Sequence, residues 1–205
     1  MKIVTAEAFK EERQRALETS ALTSSVDDTV LNIIQTVRKE GDAALFRYTE
    51  QFDGAKLDIL ELSEKEWERA MFQVDPNVLG ALTTAKEQIE QYHRLQKEKS
   101  WFEQVRPGVT LGQKVTPIER VGIYVPGGKA VYPSTVLMNV LPAKIAGVKE
   151  IYIVTPPDRE GNISPSIIAA AKLAGADTIF KVGGAQAVAA LAYGTETIAK
   201  VDKIT

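Results

Sequence analysis

The sequence predicts an α/β protein in which a mainly helical N-terminal region precedes a parallel sheet flanked by helices. Three observations support this fold class. Apolar residues follow helical spacing up to about residue 100, apolar strands alternate with helices after Pro117, and two of those strands end in glycine pairs. Alternating strands and helices are typical of right-handed βαβ crossovers, which build a parallel sheet. We therefore divide the chain into a mainly helical region with a short hairpin, 1–116, and a sheet domain, 117–205.

In the N-terminal region, capping signals and helical apolar spacing predict the helices. Ser25 and Ser63 each open a pattern of the capping-box type, and Asp75 precedes a proline at the first helical position. Pro107-Gly108 lies between short extended segments and predicts a hairpin. The predicted helices cover 6–17, 25–40, 43–52, 63–74 and 76–99, and in the last of them Leu79, Leu82, Ile89 and Tyr92 should face inward.

In the sheet domain, strands and helices alternate without a convincing internal repeat. The strands are predicted at 122–125, 150–155, 178–182 and about 201–204, and the helices at 134–146, 164–174 and 185–192. Ser134 and Thr135 follow a proline and are predicted to cap the first of these helices.

Composition excludes several classes of function. The chain has 205 residues, a net charge of -2, 44% hydrophobic and 25% charged residues, and no cysteine. Its charges are interspersed, so neither a nucleic acid nor an anionic membrane is an expected partner. The absence of cysteine excludes disulfides, a thiolate nucleophile and cysteine-ligated metal. The N-terminus is polar and acidic too early for a signal peptide, and we expect a soluble cytoplasmic protein.

The two glycine pairs are the candidate binding features. Val121-Gly-Ile-Tyr-Val-Pro-Gly-Gly128 and Thr178-Ile-Phe-Lys-Val-Gly-Gly-Ala-Gln-Ala187 each run from a strand into a glycine turn. Neither matches the G-x-G-x-x-G dinucleotide fingerprint, and either pair alone is also explained by a tight turn. Their place at the carboxyl ends of parallel strands, where open α/β sheets bind ligands, favours a phosphate-bearing ligand.

Two polar side chains accompany these turns. Tyr124 interrupts an apolar strand, either as a core tyrosine with its hydroxyl at the rim or as a ligand contact. Gln186 lies in the first turn of an apolar helix, where an amide serves equally as a helix-start hydrogen bonder or as a ligand contact. His93, the only histidine, lies on a charged helix and is interpreted as a solvated residue. The residues alone therefore predict a nucleotide- or phosphate-binding α/β module without visible catalytic or metal-binding groups.

The motifs together resemble the histidinol dehydrogenase family. Besides the two glycine motifs, the matching segments are Tyr132-Pro-Ser-Thr-Val-Leu-Met138, Pro142-Ala-Lys-Ile-Ala-Gly-Val148, Thr155-Pro-Pro157 and Val201-Asp-Lys-Ile204, with weaker matches at Gly41-Asp-Ala-Ala-Leu45, Phe52-Asp-Gly54 and Leu111-Gly-Gln113. The resemblance implies an incomplete Rossmann-like sheet of the aldehyde-dehydrogenase type. It also implies a homodimeric enzyme that oxidises L-histidinol through L-histidinal to L-histidine with two NAD molecules and a bound zinc ion.

The resemblance implies NAD contacts for Tyr124 and Gln186. Pro126, Gly127 and Gly183, from the same two turns, complete the predicted cofactor-binding residues. The family's G-P-G-N loop, zinc ligands and catalytic glutamate–histidine pair follow the last matched motif, so no catalytic or metal residue is assigned here. We accordingly expect the N-terminal part of such an enzyme, inactive by itself and without zinc. A structural or assembly module without useful NAD affinity, or a site for a different phosphate ligand, remain the alternatives.

Overall fold

The computed structural model describes Thr5, Glu7 and residues 9–10, 24–127 and 131–205, and it confirms the predicted α/β class. The helices are α1 (Ser24–Glu40), α2 (Asp42–Asp53), α3 (Glu64–Gln73), α4 (Pro76–Leu95), α5 (Pro133–Ala146), α6 (Pro165–Ala174) and α7 (Gly184–Tyr193). The strands are β1 (Trp101–Arg106), β2 (Val109–Gln113), β3 (Arg120–Tyr124), β4 (Glu150–Thr155), β5 (Thr178–Lys181) and β6 (Lys203–Ile204). The helix predicted at 6–17 lies largely outside the described residues.

Strands β3 to β6 form one parallel sheet in the order β5-β4-β3-β6. The chain moves outward from β3 to β5 and then returns to place β6 on the other side of β3. This is the order of the first four strands of a doubly wound Rossmann sheet, which explains the incomplete Rossmann-like character. The strand order reverses between β3 and β6, and ligands bind outside the carboxyl ends of the strands at such a reversal.

The sheet lies between two hydrophobic clusters. On one face, Val121, Ile123, Ile151, Ile153 and Ile179 pack with apolar residues of α3, α4, α5 and α6. On the other face, Val154 and Phe180 pack with residues of α1, α2 and α7. The alternation of side chains along each strand sends successive residues to opposite faces, so both faces of the sheet are covered by helices.

A glycine in the central strand brings α7 close to the sheet. A Cβ atom on Gly122 would lie 2.7 Å from both Cδ atoms of Leu191, which is fully buried. Any larger residue at this position would force the Leu191 side chain, or α7 with it, to move. The position of α7 matters because its first turn carries Gln186.

The N-terminal helices contribute to both hydrophobic clusters. Helix α1 packs on α7, whereas α3 packs on α6 and α4 packs on α5 and α6. The capping box predicted at Ser63 is confirmed, since Ser63 and Glu66 bond each other's backbone N–H, and Asp75 caps α4 by accepting from the N–H of Asn77. The division at residue 117 stays a prediction.

Some local predictions were wrong. Helix α1 already includes Ser24, so Ser25 lies within the helix and is not its cap. Tyr132 takes the N-cap position of α5, and Ser134 and Thr135 are therefore helical. Tyr92 is 61% exposed because α4 contacts the core on a narrower face than its apolar spacing indicated. The same helix ends at Leu95 rather than at residue 99.

The predicted hairpin is confirmed, with β1 and β2 antiparallel around Pro107-Gly108. Its strands are exposed along almost their whole length, and among the described residues they pack on no other helix or strand to a significant extent. No helix in the described part of the chain is long and apolar enough to cross a membrane.

Candidate functional site

Three loops meet at the carboxyl edge of the sheet around one proline. A Cβ atom on Gly127, after β3, would lie 2.6 Å from Cγ of Pro156 in the loop after β4. A Cβ atom on Gly183, after β5, would lie 2.6 Å from Cβ of the same proline. Both glycines are therefore required by close packing, whether or not a ligand is present. Sequence reasoning missed this role of Pro156, although the proline lies in one of the family-like segments.

The second glycine turn opens α7 with an N-cap residue that has no side chain. Gly183 is the N-cap residue, and as a glycine it has no side chain to cap the helix. Gly184 follows with a φ of 64°, a conformation that favours glycine. The first N–H groups of a helix lack partners within the helix and carry the positive end of its dipole. This end of α7 can therefore bind an anionic or carbonyl-bearing ligand.

Tyr124 contacts this helix start across the sheet edge. Its hydroxyl accepts a hydrogen bond from the backbone N–H of Gly184 at 3.3 Å. The side chain is half-buried, as expected of a core tyrosine whose hydroxyl reaches the rim. Tyr124 thus joins the end of β3 to the turn after β5 and places a phenol oxygen beside the uncapped helix.

Gln186 is the buried polar side chain of the site. It is 1% exposed, and its side chain makes no hydrogen bond to any of the described residues. Its Oε1 atom lies 2.7 Å from the position that a Cβ atom on Gly184 would occupy, so the amide folds back over that glycine. Because the amide makes no hydrogen bond to the helix start, Gln186 is a candidate ligand contact rather than a helix cap.

The structure therefore brings Tyr124, Gly183 and Gln186 together around Gly184. Pro126 and Gly127 lie one loop away and line a neighbouring cavity of about 250 Å³ between the loops after β3 and β4. Thr155, Pro156 and Pro157 also line this cavity, whereas Tyr124 and Gln186 do not. Gly128, the second glycine of the first pair, lies outside the described residues.

The arrangement offers no metal site. Within the described residues, no group of three or more histidine, cysteine, aspartate or glutamate side chains is placed to hold an ion. His93 is on α4, where its Nδ1 atom lies 2.7 Å from Oε1 of Gln96. It has no place at the carboxyl edge of the sheet, in agreement with its interpretation as a surface helix residue.

The amino edge of the sheet differs, because its charged groups are paired. The Arg120 guanidinium donates two hydrogen bonds of 2.8 Å to Glu150 and one of 2.9 Å to the carbonyl of Lys200. Hydrogen bonds from Arg120, and then from the Tyr152 hydroxyl, lower the pKa of Glu150 from 4.5 to about 2. Burial, followed by the hydrogen bond to Glu150, raises the pKa of Tyr152.

Comparison with known proteins shows one family. The sequence model described as histidinol dehydrogenase matches residues 17–205. Histidinol dehydrogenase of Methanosarcina mazei is 50% identical over 194 residues, covering 94% of this chain and 45% of the relative. That of Oceanobacillus iheyensis is 50% identical over all of this chain and 48% of its own length. That of Geobacillus kaustophilus is 55% identical over 85% of this chain and 41% of its own length.

A solved structure agrees with these sequence comparisons. The crystal structure of histidinol dehydrogenase from Elizabethkingia anophelis superimposes with a TM-score of 0.84 and 42% sequence identity, covering 87% of this chain and 41% of that chain. The chain thus spans about half the length of the curated relatives that it matches.

Proposed function

The chain belongs to the histidinol dehydrogenase family, and we propose that it forms the NAD-binding part of an enzyme that oxidises L-histidinol through L-histidinal to L-histidine. The substrate L-histidinol, the cofactor NAD, a homodimeric assembly and a cytoplasmic location are all parts of this proposal. Its support is the family membership together with the geometry around Gly184.

The observation that carries the NAD proposal is the side chain of Gln186. It is almost fully buried, and it has no hydrogen-bond partner among the described residues. It lies at an uncapped helix start at the carboxyl edge of a parallel sheet. A dinucleotide offers what each group lacks, namely phosphate oxygens for the helix N–H groups and polar atoms for the amide.

The described residues would hold NAD by a division of roles. The N–H groups that follow Gly184 in the first turn of α7 would bind a phosphate oxygen, and Gln186 would fix the orientation of the cofactor through its amide. The Tyr124 phenol would pack along the bound molecule, and its hydroxyl would keep Gly184 in place. The backbone at Pro126, Gly127 and Gly183 would be able to come close to the bound cofactor. When bound, NAD supplies the acceptor for the hydride that leaves the substrate.

Zinc does not fit the residues of this chain. One histidine and no cysteine are present, and the described residues contain no cluster of potential ligands. A zinc site normally needs three or four such ligands. We therefore assign no zinc ligand and no catalytic residue here, and we expect no histidinol-dependent formation of NADH by this chain alone.

Calorimetric titration with NAD tests the proposal. We expect micromolar binding by the wild-type chain and at least about tenfold weaker binding by Gln186→Ala, because the variant loses hydrogen bonds in a buried setting. Gln113→Ala is the matched control, since it makes the same substitution on the exposed strand β2. Equal affinities for the three proteins would rule out a role of Gln186 in NAD binding.

The same titration separates the alternatives. A flat NAD titration would support a structural or assembly module, for which the exposed hairpin β1–β2 is the favouring observation. Binding of inorganic phosphate but not of NAD, with phosphate found beside Gly127 or Gly183, would support a different phosphate ligand.

A further inference from the structure

A polar contact joins the start of α2 to the turn that follows α7. The Glu196 carboxylate accepts a hydrogen bond from the backbone N–H of Asp42 at 2.7 Å. The Thr197 hydroxyl donates to the Asp42 carboxylate. The two partners are about 150 residues apart in the chain, so the contact fixes two distant segments to each other. We call this set of three residues, Asp42, Glu196 and Thr197, the α2–α7 clamp.

Gly41 leaves room for the Glu196 carboxylate of the clamp. It is the N-cap residue of α2, its φ is 55°, and no side chain of its own helix caps that end. A Cβ atom on Gly41 would lie 2.2 Å from Oε2 of Glu196. Glu196 therefore performs from a distant segment the capping that the local sequence lacks, and its negative charge also suits the positive end of α2.

The turn that carries Glu196 is firmly attached to α7. The N–H of Gly194 bonds the carbonyl of Ala190, and the N–H of Val201 bonds the carbonyl of Leu191. Within the turn, the N–H of Ile198 bonds the Thr195 hydroxyl, and the Ile198 side chain is fully buried. A force on Glu196 is therefore transmitted to the helix rather than absorbed by the turn.

The buried face of α7 has few large side chains that could fix the helix along its axis. That face consists largely of alanine, at positions 187, 189 and 190, with Leu191 as its one large buried apolar residue. Helices are normally held in register by large side chains that form ridges and fill grooves. A face of alanines gives close approach but shallow ridges, so polar contacts at both ends contribute to the axial position, the Tyr124–Gly184 bond at one end and the clamp at the other.

We propose that Asp42, Glu196 and Thr197 are positioning residues that hold α7 so that Gln186 and Gly184, at its opposite end, face the NAD site. A helix of ten residues is about 15 Å long and moves as one body, so a shift at Tyr193 is carried to Gly184. The consequence for NAD rests on the proposed function, whereas the positioning of α7 does not.

The test compares three single variants of the full chain. Glu196→Ala removes the clamp, and Glu196→Gln keeps an oxygen that accepts the Asp42 N–H. Arg47→Ala is the matched control, because it breaks the Arg47–Glu40 ion pair at the same corner between α1 and α2 without touching Glu196. We expect Glu196→Ala to raise the Kd for NAD about fivefold, with Glu196→Gln and Arg47→Ala close to wild type.

Two further measurements distinguish positioning from general stability. With Gln186→Ala as the background, Glu196→Ala should weaken NAD binding much less than in the wild type, because the group that it positions is gone. The backbone amide NMR signals of Gly184 and Gln186, and the side-chain amide signals of Gln186, should shift in Glu196→Ala and not in Arg47→Ala. The spectra are compared at a temperature well below unfolding.

The outcomes separate this inference from the proposed function. If the wild type binds no NAD, the proposed function fails, and the amide signals alone decide whether the clamp positions α7. Unchanged amide signals at Gly184 and Gln186 in Glu196→Ala would overturn the positioning role. A fivefold loss that is equally large in the Gln186→Ala background would also overturn it.

Discussion

The two edges of the parallel sheet use their polar residues differently. At the amino edge, the Arg120 and Glu150 side chains bond each other, and the carboxylates of Asp177 and Asp202 accept backbone N–H groups. At the carboxyl edge, Gly183 has no side chain to cap α7, the N–H of Gly184 bonds the Tyr124 hydroxyl, and Gln186 makes no side-chain hydrogen bond within the described residues. Similar polar groups are thus satisfied at one edge and left available at the other.

From this difference we infer that the amino edge mainly stabilises the fold, and we propose that the carboxyl edge serves binding. A buried polar group without a partner in the protein costs free energy, and a bound molecule is one way to supply the missing partner. A paired group needs no such partner. We therefore expect substitutions at the amino edge to change the free energy of unfolding without changing NAD affinity, and substitutions around Gly184 to change NAD affinity.

Lys181 is an exception to this contrast between the two edges, because it lies at the carboxyl end of β5 and is nevertheless paired. Its Nζ atom lies 3.1 Å from Oε1 of Glu66, and its side chain is 10% exposed. Burial opposes the charge on Glu66, but hydrogen bonds from Ser63 and Lys181 outweigh that effect and lower the pKa of Glu66. The pair connects β5 to α3, on the face of the sheet away from α7.

Glu66→Ala should have the largest effect on stability. It leaves the Lys181 ammonium buried without a partner and removes a capping box, so we expect a loss of about 3 kcal/mol in the free energy of unfolding. Urea denaturation measures the loss. Glu66→Gln, which keeps hydrogen bonding, should cost less, and it replaces Glu66→Ala if that variant does not fold. NAD affinity lost in Glu66→Gln would show that the binding region extends to α3.

Gly183→Ala should have the next largest effect, and it should lower both the free energy of unfolding and the affinity for NAD. The added Cβ atom would lie 2.6 Å from the Pro156 ring, and overpacking of this kind costs about 1–3 kcal/mol. Because the loops after β4 and β5 must then separate, we expect weaker NAD binding as well. Chemical denaturation and NAD titration of one preparation measure both effects. A stable variant with unchanged NAD affinity would show that the Pro156 contact is not needed for NAD binding.

The elements of this fold follow from the sequence more readily than its contacts do. Capping at Ser63 and Asp75, the Pro107-Gly108 turn and the alternation after residue 117 depend on near neighbours, and all were predicted. The contact of Pro156 with both Gly127 and Gly183, and the clamp between Asp42 and Glu196, join distant segments. No local pattern indicates them, because they arise only when the strands are placed side by side.

The site was predictable to a similar degree. Periodicity and spacing located Gln186 on a helix start and Tyr124 near a strand end, but each kept two interpretations of equal standing. Burial of Gln186, whose amide makes no hydrogen bond in the described part of the chain, favours the proposal of a ligand contact. Burial is a property of the packed protein, and a single residue in a sequence does not reveal it.

Gly80→Ala should have a smaller effect of the opposite sign. Gly80 lies within α4, and a Cβ atom there would meet no other atom within 4 Å. Alanine is favoured over glycine in a helix by about 0.5–1 kcal/mol, so we expect that gain in the free energy of unfolding. NAD affinity should not change. Gly80→Ala therefore shows that the loss in Gly183→Ala comes from the Pro156 contact and not from replacing a glycine as such.

The smallest effect on the free energy of unfolding is expected at the amino edge, and it is tested by changing the pH. The pKa of Glu150 is lowered from 4.5 to about 2, so its ionised form stabilises the folded protein fully above pH 4.5. That stabilisation should disappear as the pH falls from about 4.5 to about 2. The Glu150 side chain is 43% exposed, and salt should weaken the effect further.

Urea denaturation of the wild type and Glu150→Gln across this pH range measures the contribution. The two unfolding free energies should differ at pH 6 and converge towards pH 2, with Tyr152→Phe between them because it removes one hydrogen bond to Glu150. A difference that persists at pH 2 would show that Glu150 acts through packing rather than charge. NAD affinity at pH 7 should be the same in all three proteins, since a paired group at this edge has no bond left to offer a ligand.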